Sequence, residues 1–169
     1  IEKTPIKVLK NSVIDALAQC SEAFDSKNAN KFTKFLCNHA FDLLEEGILK
    51  QNYKKIVLGS LYDGIGFGNS STTLGHALSY VYSNEGVSHG HALAFTTTIA
   101  HKFNKSKFYE RFLAIIKKLE LPEIILKQNL EEASEKILSD RKHLDNKPTN
   151  ITKKDIIQLL KKINDKEVF

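Results

Sequence analysis

The chain contains six histidines. Three of them, His76, His89 and His91, fall within sixteen residues. They lie in Gly75-His76-Ala77-Leu78-Ser79-Tyr80 and Ser88-His89-Gly90-His91-Ala92, a part of the chain built from small and apolar residues with almost no charge. Such a segment can be buried. A buried imidazole needs a partner, because an unpaired polar group in the interior costs ~1–3 kcal/mol. A divalent metal is one such partner, and neutral imidazole is its commonest protein ligand.

A carboxylate is available upstream. Asp15 and Gln19 stand four residues apart in an apolar-periodic segment, which places both on one face of a helix, one turn apart. The neighbours Val13, Ile14, Leu17 and Ala18 draw that face inward. A buried carboxylate in turn needs a cation or hydrogen-bond donors. His76 and His89 are thirteen residues apart, and a turn at 83–87 (Ser-Asn-Glu-Gly-Val) can bring both imidazoles to one point. Asp15 with the two histidines makes a site of nitrogen and oxygen donors that suits Fe(II) or Zn(II) acting as a Lewis acid. The competing reading has the histidines donating to backbone carbonyls in the core. His91 points away from His89 on a helix. His39 and His101 read as residues near helix surfaces. His143, beside Arg141 and Lys142, reads as a cation at a helix end. None of these four is assigned a role.

The elements that must position these residues are helical. Apolar positions recur near a 3.6-residue period over 6–25, 30–49 and 53–68. In the third of these, glycines at 59, 64, 66 and 68 suggest close backbone approach around a buried site. Shorter buried helices are expected over 71–82 and 88–103, although Thr96-Thr97-Thr98 is poor helix material. A helix over 106–119 is expected to be capped by Ser106. Pro122 suits the first turn of another that runs to about Asp140. The stretch from Leu144 to Asn150 reads as a loop, and Thr152 with Asp155 forms a capping-box-like start to a last amphipathic helix. No alternating strand pattern occurs. The expectation is a single all-α domain of seven or eight helices spanning 1–169.

Bulk properties exclude several classes of function. The 169 residues allow one domain with a real core. The net charge of +5 comes from lysines spread along the chain among acidic residues, so nucleic acid is not an expected partner. No apolar run reaches the roughly 20 residues of a membrane span. No GxGxxG or GxxxxGK[ST] loop is present to cradle phosphates. Cys20 and Cys37 read as buried free thiols, and a cytoplasmic location is expected. The chain begins at Ile1 and has no methionine, as expected of part of a longer protein.

The order of segments resembles the C-terminal helical domain of the iron-containing alcohol dehydrogenases. Asp15-Ala16-Leu17-Ala18-Gln19, leading to Glu22-Ala23 and Ser26-Lys27-Asn28-Ala29-Asn30, is similar to that family's metal-binding helix. Gly75-His76-Ala77-Leu78 followed by His89-Gly90-His91-Ala92-Leu93-Ala94 is similar to its two-histidine segment, and Asp140-Arg141 through Ile156 resembles its closing loop and last helix. The resemblance covers nearly the whole chain. It implies Asp15, His76 and His89 as metal ligands. Gln19 stands where the family has a fourth ligand, a histidine. Tyr80 stands where many members have a non-ligating histidine near the substrate. Gln19, the His-Ala-Leu-Ser-Tyr run and His-Gly-His-Ala resemble most the phosphonoacetaldehyde-reductase branch.

What the resemblance implies is a metal-dependent aldehyde reductase or alcohol dehydrogenase. Fe2+ or Zn2+ would polarise the C–O bond of a small aldehyde or alcohol for hydride exchange with NAD(P)H. Tyr80 would serve as a proton relay. The cofactor would be held by an N-terminal nucleotide-binding domain absent from this chain, so the chain alone is expected to be inactive. A homodimer is a possible assembly. Two alternatives stand beside this reading. One is a dehydroquinate-synthase-like lyase domain. The other is a helical module that has lost its metal, for which Gln19 is the motivating residue.

Overall fold

The computed structural model describes residues 1–169. Nine helices form and no strand: α1 (Ile6–Asp25), α2 (Lys31–Leu49), α3 (Tyr53–Gly68), α4 (Leu74–Ser83), α5 (His89–Asn104), α6 (Tyr109–Leu119), α7 (Leu130–Ser139), α8 (Arg141–Asn146) and α9 (Lys153–Asn164). The all-α expectation holds. The count exceeds seven or eight because the region from Pro122 to Asn150 is divided differently.

α1 is the axis of the molecule. Val13, Ile14, Leu17, Ala18 and Cys20 are almost wholly buried, and the helix packs against α2, α3, α4 and α5. α2 is started by Asn30, whose side chain accepts from the N–H groups of Phe32 and Thr33 while Thr33 Oγ1 accepts from Asn30 N–H. This reciprocal cap satisfies donors that the first helical turn leaves orphaned. The same device starts α9 at Thr152 and Asp155, as the sequence predicts. In α5 the threonine run is helical because it is buried. Thr96 and Thr98 donate their hydroxyls back to the carbonyls of Ala92 and Ala94, so no polar group is stranded.

Three sequence expectations are corrected. Ser106 does not cap α6: the helix begins at Tyr109, and the Ser106 hydroxyl instead accepts from Phe108 N–H in a turn. Pro122 does not open a helix. Residues 120–129 are non-helical because their backbone donors are satisfied from outside. The Glu85 carboxylate accepts from Lys127 and Gln128 N–H, and Asn164 clamps the N–H and carbonyl of Leu126. The expected loop from Leu144 is helical as far as Asn146, because Asp140 caps α8 by accepting from His143 N–H.

Candidate metal centre

Asp15 lies on α1, His76 on α4 and His89 at the start of α5. One ligand atom from each lies within 4.8 Å of the others. The Nε2 atoms of His76 and His89 are 3.7 and 3.8 Å from Asp15 Oδ1. The two rings meet edge to face with centroids 5.5 Å apart. The turn after Ser83, with Gly86 at φ +93°, folds α5 back onto α4.

Two glycines set how closely the helices approach. A Cβ on Gly90 would stand 2.0 Å from the carbonyl oxygen of Asn11 on α1, and one on Gly75 would stand 2.6 Å from Thr97 Oγ1 on α5. Neither distance is physical, so these positions admit only glycine while α1, α4 and α5 keep their spacing. Of the α3 glycines, Gly59 and Gly66 meet α2 closely, as expected, whereas Gly64 and Gly68 face open space.

His76 is buried, and its Nδ1 is 2.6 Å from the carboxylate of Glu22, itself 1% exposed. Glu22 also accepts from Thr73 N–H, Thr73 Oγ1 and Gly75 N–H at 3.2, 2.9 and 2.5 Å. Burial alone would raise the Glu22 pKa, yet the hydrogen bond and charge of His76 hold it down at about 2. Burial likewise pushes His76 down, but the Asp15 and Glu22 carboxylates outweigh it and lift the imidazole to about 9. Because Glu22 takes the Nδ1 proton, Nε2 is the atom turned towards Asp15. This is the arrangement that orients a ligating histidine.

The residues fit a cation. Asp15 Oδ1 and His76 Nε2 are both buried with no hydrogen-bond partner. Orphaned buried polar atoms are rare in proteins, and two facing each other across a short gap call for a shared partner. His89 is half-buried, and burial lowers its pKa despite the opposing charge of Asp15, which favours the neutral imidazole a metal requires. Gln19 is half-buried one turn beyond Asp15. Tyr80 stacks on His89 with centroids 5.7 Å apart and rings 12° from parallel, and is 41% exposed. Burial, then the charges of Asp140, Asp15 and Glu22, raise its pKa, so the phenol stays protonated.

His143 lies in the last turn of α8, at a helix end as read from the sequence, and is buried there: it stacks on His76 at 6.1 Å, lies 5.6 Å from the Tyr80 ring, and its Nδ1 is 2.7 Å from Asp140. The signal in the sequence is Asp140 three residues earlier, a helix cap that also reaches the ring. His101 is buried rather than near the surface. Its Nε2 donates to Ser21 Oγ at 2.8 Å, since the Ser21 hydroxyl is already given to Leu17 O. Burial pushes its pKa to about 4. His91 turns away as expected and donates to Pro122 O, and His39 packs against Phe35 and Tyr62. Sequence reasoning also missed Asp63 on α3. It is 2% exposed with Oδ1 unpaired, and burial, aided by the charge of Asp15, raises its pKa to about 8. Cys20 and Cys37 are buried free thiols.

Comparison with known proteins bears on the family and the fold. Residues 10–139 match the family described as Fe-containing alcohol dehydrogenase family, C-terminal. A 4-hydroxybutyrate dehydrogenase of Clostridium kluyveri is 34% identical over 119 residues, which is 63% of this chain and 32% of that protein. An iron-containing alcohol dehydrogenase of Thermotoga maritima superposes with a TM-score of 0.85 at 22% identity, covering 96% of this chain and 51% of that one. A sulfoacetaldehyde reductase of Bifidobacterium kashiwanohense, solved with NAD+, gives 0.83 at 18% identity over 96% of this chain and 51% of that one. The chain thus spans about half the length of these solved proteins, and no helix is long and apolar enough to cross a membrane. The match along residues 10–139 makes the chain a member of the iron-containing alcohol dehydrogenase family, and its nine helices correspond to that family's C-terminal helical domain.

Proposed function

We propose that this chain is the metal-holding part of an NAD(P)-dependent alcohol dehydrogenase or aldehyde reductase, with Asp15, His76 and His89 as ligands to Fe2+ or Zn2+ and Gln19 as a neutral fourth donor. The observation that carries the reading is the convergence of Asp15 Oδ1, His76 Nε2 and His89 Nε2, two of which have no other partner. When bound there, a divalent ion supplies a Lewis acid that polarises a carbonyl or alcohol C–O bond. The residues of the chain do the rest. Glu22 holds the His76 ring and its tautomer. Tyr80, protonated and open to solvent on one side, is the group placed to give or take the proton of the substrate oxygen. The buried walls from α4 and α5 exclude water from one side of the trio.

The nicotinamide cofactor would come from a nucleotide-binding domain of the kind that the other half of the longer relatives leaves room for. The proposed substrate is a short aldehyde or alcohol with an acidic tail. That type is shared by the phosphonoacetaldehyde-reductase branch, which Gln19 and the His-Gly-His-Ala run resemble, and by the 4-hydroxybutyrate named for the relative from Clostridium kluyveri.

Metal analysis tests this reading. The chain, reconstituted with Fe2+ or Zn2+ and freed of excess ion, should retain about one equivalent, and His89→Ala should lose it. Equal retention by both proteins refutes the ligand assignment. No retention by either favours a helical module without metal.

A further inference from the structure

A second polar site lies where α8 passes into α9. Lys147, the residue after α8, is 1% exposed, one of the largest fully buried side chains of the molecule. An ammonium has three protons to donate. The one hydrogen bond found for Lys147 Nζ is to Thr149 Oγ1 at 3.2 Å. That hydroxyl is itself committed to Asn104 Oδ1. The ring of Phe103 lies 5.7 Å from Nζ, and no carboxylate comes within the 4.0 Å of an ion pair.

The surroundings add positive charge. Lys147 shares a cavity of about 360 Å³ with Lys27, Arg141, Asp145, Thr149 and Asn150. Lys27 is held there by its backbone, whose N–H donates to Asn146 O at 2.8 Å. Arg141 is paired with Asp145, and the carboxylate of Asp155 acts on Lys147 from beyond ion-pair distance, so neither lysine has a carboxylate in contact. Burial, followed by the charge of Lys27, pulls the Lys147 pKa down to about 8. A buried cation with unspent donors beside a second cation is unfavourable until an anion or a carboxylate completes it.

We infer that this cavity binds a phosphate-type oxyanion, taken by Lys147 Nζ and Lys27 Nζ with Asn150 at its rim. A tetrahedral dianion balances both lysines and accepts several hydrogen bonds, which a halide does not. The two sources of this chemistry are free phosphate and a small phosphomonoester. The site is separate from the metal trio: α8 turns His143 to His76, and Lys147, just past its end, stands on the cavity wall.

The test is thermal denaturation of the chain in inorganic phosphate, in glycerol phosphate, and in chloride at matched ionic strength. A saturable rise in Tm with either phosphate probe, absent with chloride, is expected. Tighter binding of glycerol phosphate than of phosphate assigns the monoester as the source, and the reverse assigns the free ion. Lys147→Met, which keeps the buried stem but removes the charge, should weaken the response about tenfold or more. Lys27→Ala changes an exposed residue and should weaken it too, which keeps the test alive if Lys147→Met fails to fold. Equal melting in phosphate and chloride, or a phosphate response unaltered in the variants (an adventitious ion only), overturns the inference.

Discussion

Substituting Glu22→Gln separates the trio's geometry from its support. The exchange conserves shape and removes one charge. Both carboxylate oxygens of Glu22 face donors: Oε1 accepts from Thr73 Oγ1 and Gly75 N–H, and Oε2 from Thr73 N–H and His76 Nδ1. If Oε1 becomes the amide NH2, Gly75 N–H faces a donor while the Thr73 hydroxyl can turn to accept; if Oε2 does, the N–H groups of Thr73 and His76 face it. Hydrogen bonds to a buried charge contribute ~1.5–3 kcal/mol each, so the loss is roughly 1.5–6 kcal/mol, a large share of the ~5–15 kcal/mol that stabilises a domain. The His76 ring also loses the group that fixes its tautomer, and metal affinity should fall about 10- to 100-fold. Urea denaturation at neutral pH measures the first effect, and titration against a competing chelator measures the second. Thr73→Ala, which removes a single hydroxyl donor to that charge, should cost about 1.5–3 kcal/mol and leave metal affinity nearly unchanged. If Glu22→Gln unfolds within ~0.5 kcal/mol of the parent, the supporting role is wrong for stability. If it also holds metal as tightly as the parent, Glu22 does not orient His76.

Other perturbations probe the scaffold. Gly90→Ala places a Cβ 2.0 Å from Asn11 O and must push α5 from α1. A loss of about 1–3 kcal/mol or more in thermal melts is expected, together with weaker metal retention, and an unchanged melting curve would contradict the close approach. Asp63 gives a pH signature in the metal-free chain. Its folded pKa of about 8 lies above the ordinary carboxylate value of 3.8. The folded state therefore keeps a proton that the unfolded state sheds, and stability declines as pH rises through that window, at up to roughly 1.4 kcal/mol per pH unit. Asp63→Asn should flatten that decline, which urea midpoints at about pH 5 and about pH 9 will show. A variant that loses stability with pH as steeply as the parent would place the carboxylate in water.

Local pattern was enough for the long helices. The periodic burial of Leu9, Val13, Leu17 and Cys20, and the Thr152–Asp155 cap, are visible because a helix's own residues supply the reason for its position. Residues 120–129 misled because Pro122 suits a helix start, while the groups that hold the segment out of a helix, Glu85 and Asn164, are 42 and 38 residues away in sequence. His101 shows the same limit. Nothing local distinguishes an imidazole that donates to Ser21 across 80 residues from one on the surface.

By itself the sequence determined the helical class and the long helices, since apolar spacing is a local property; it named Asp15, His76 and His89 through residue chemistry and family resemblance, and the fold brought them together. Only the tertiary structure decided that Glu22 backs His76, that His143 and Tyr80 wall the trio, that Asp63 is buried unpaired, and that Gly75 and Gly90 set the helix spacing. The reason is physical. Each of those facts depends on which atoms of distant segments meet, and on whether water is excluded where they do.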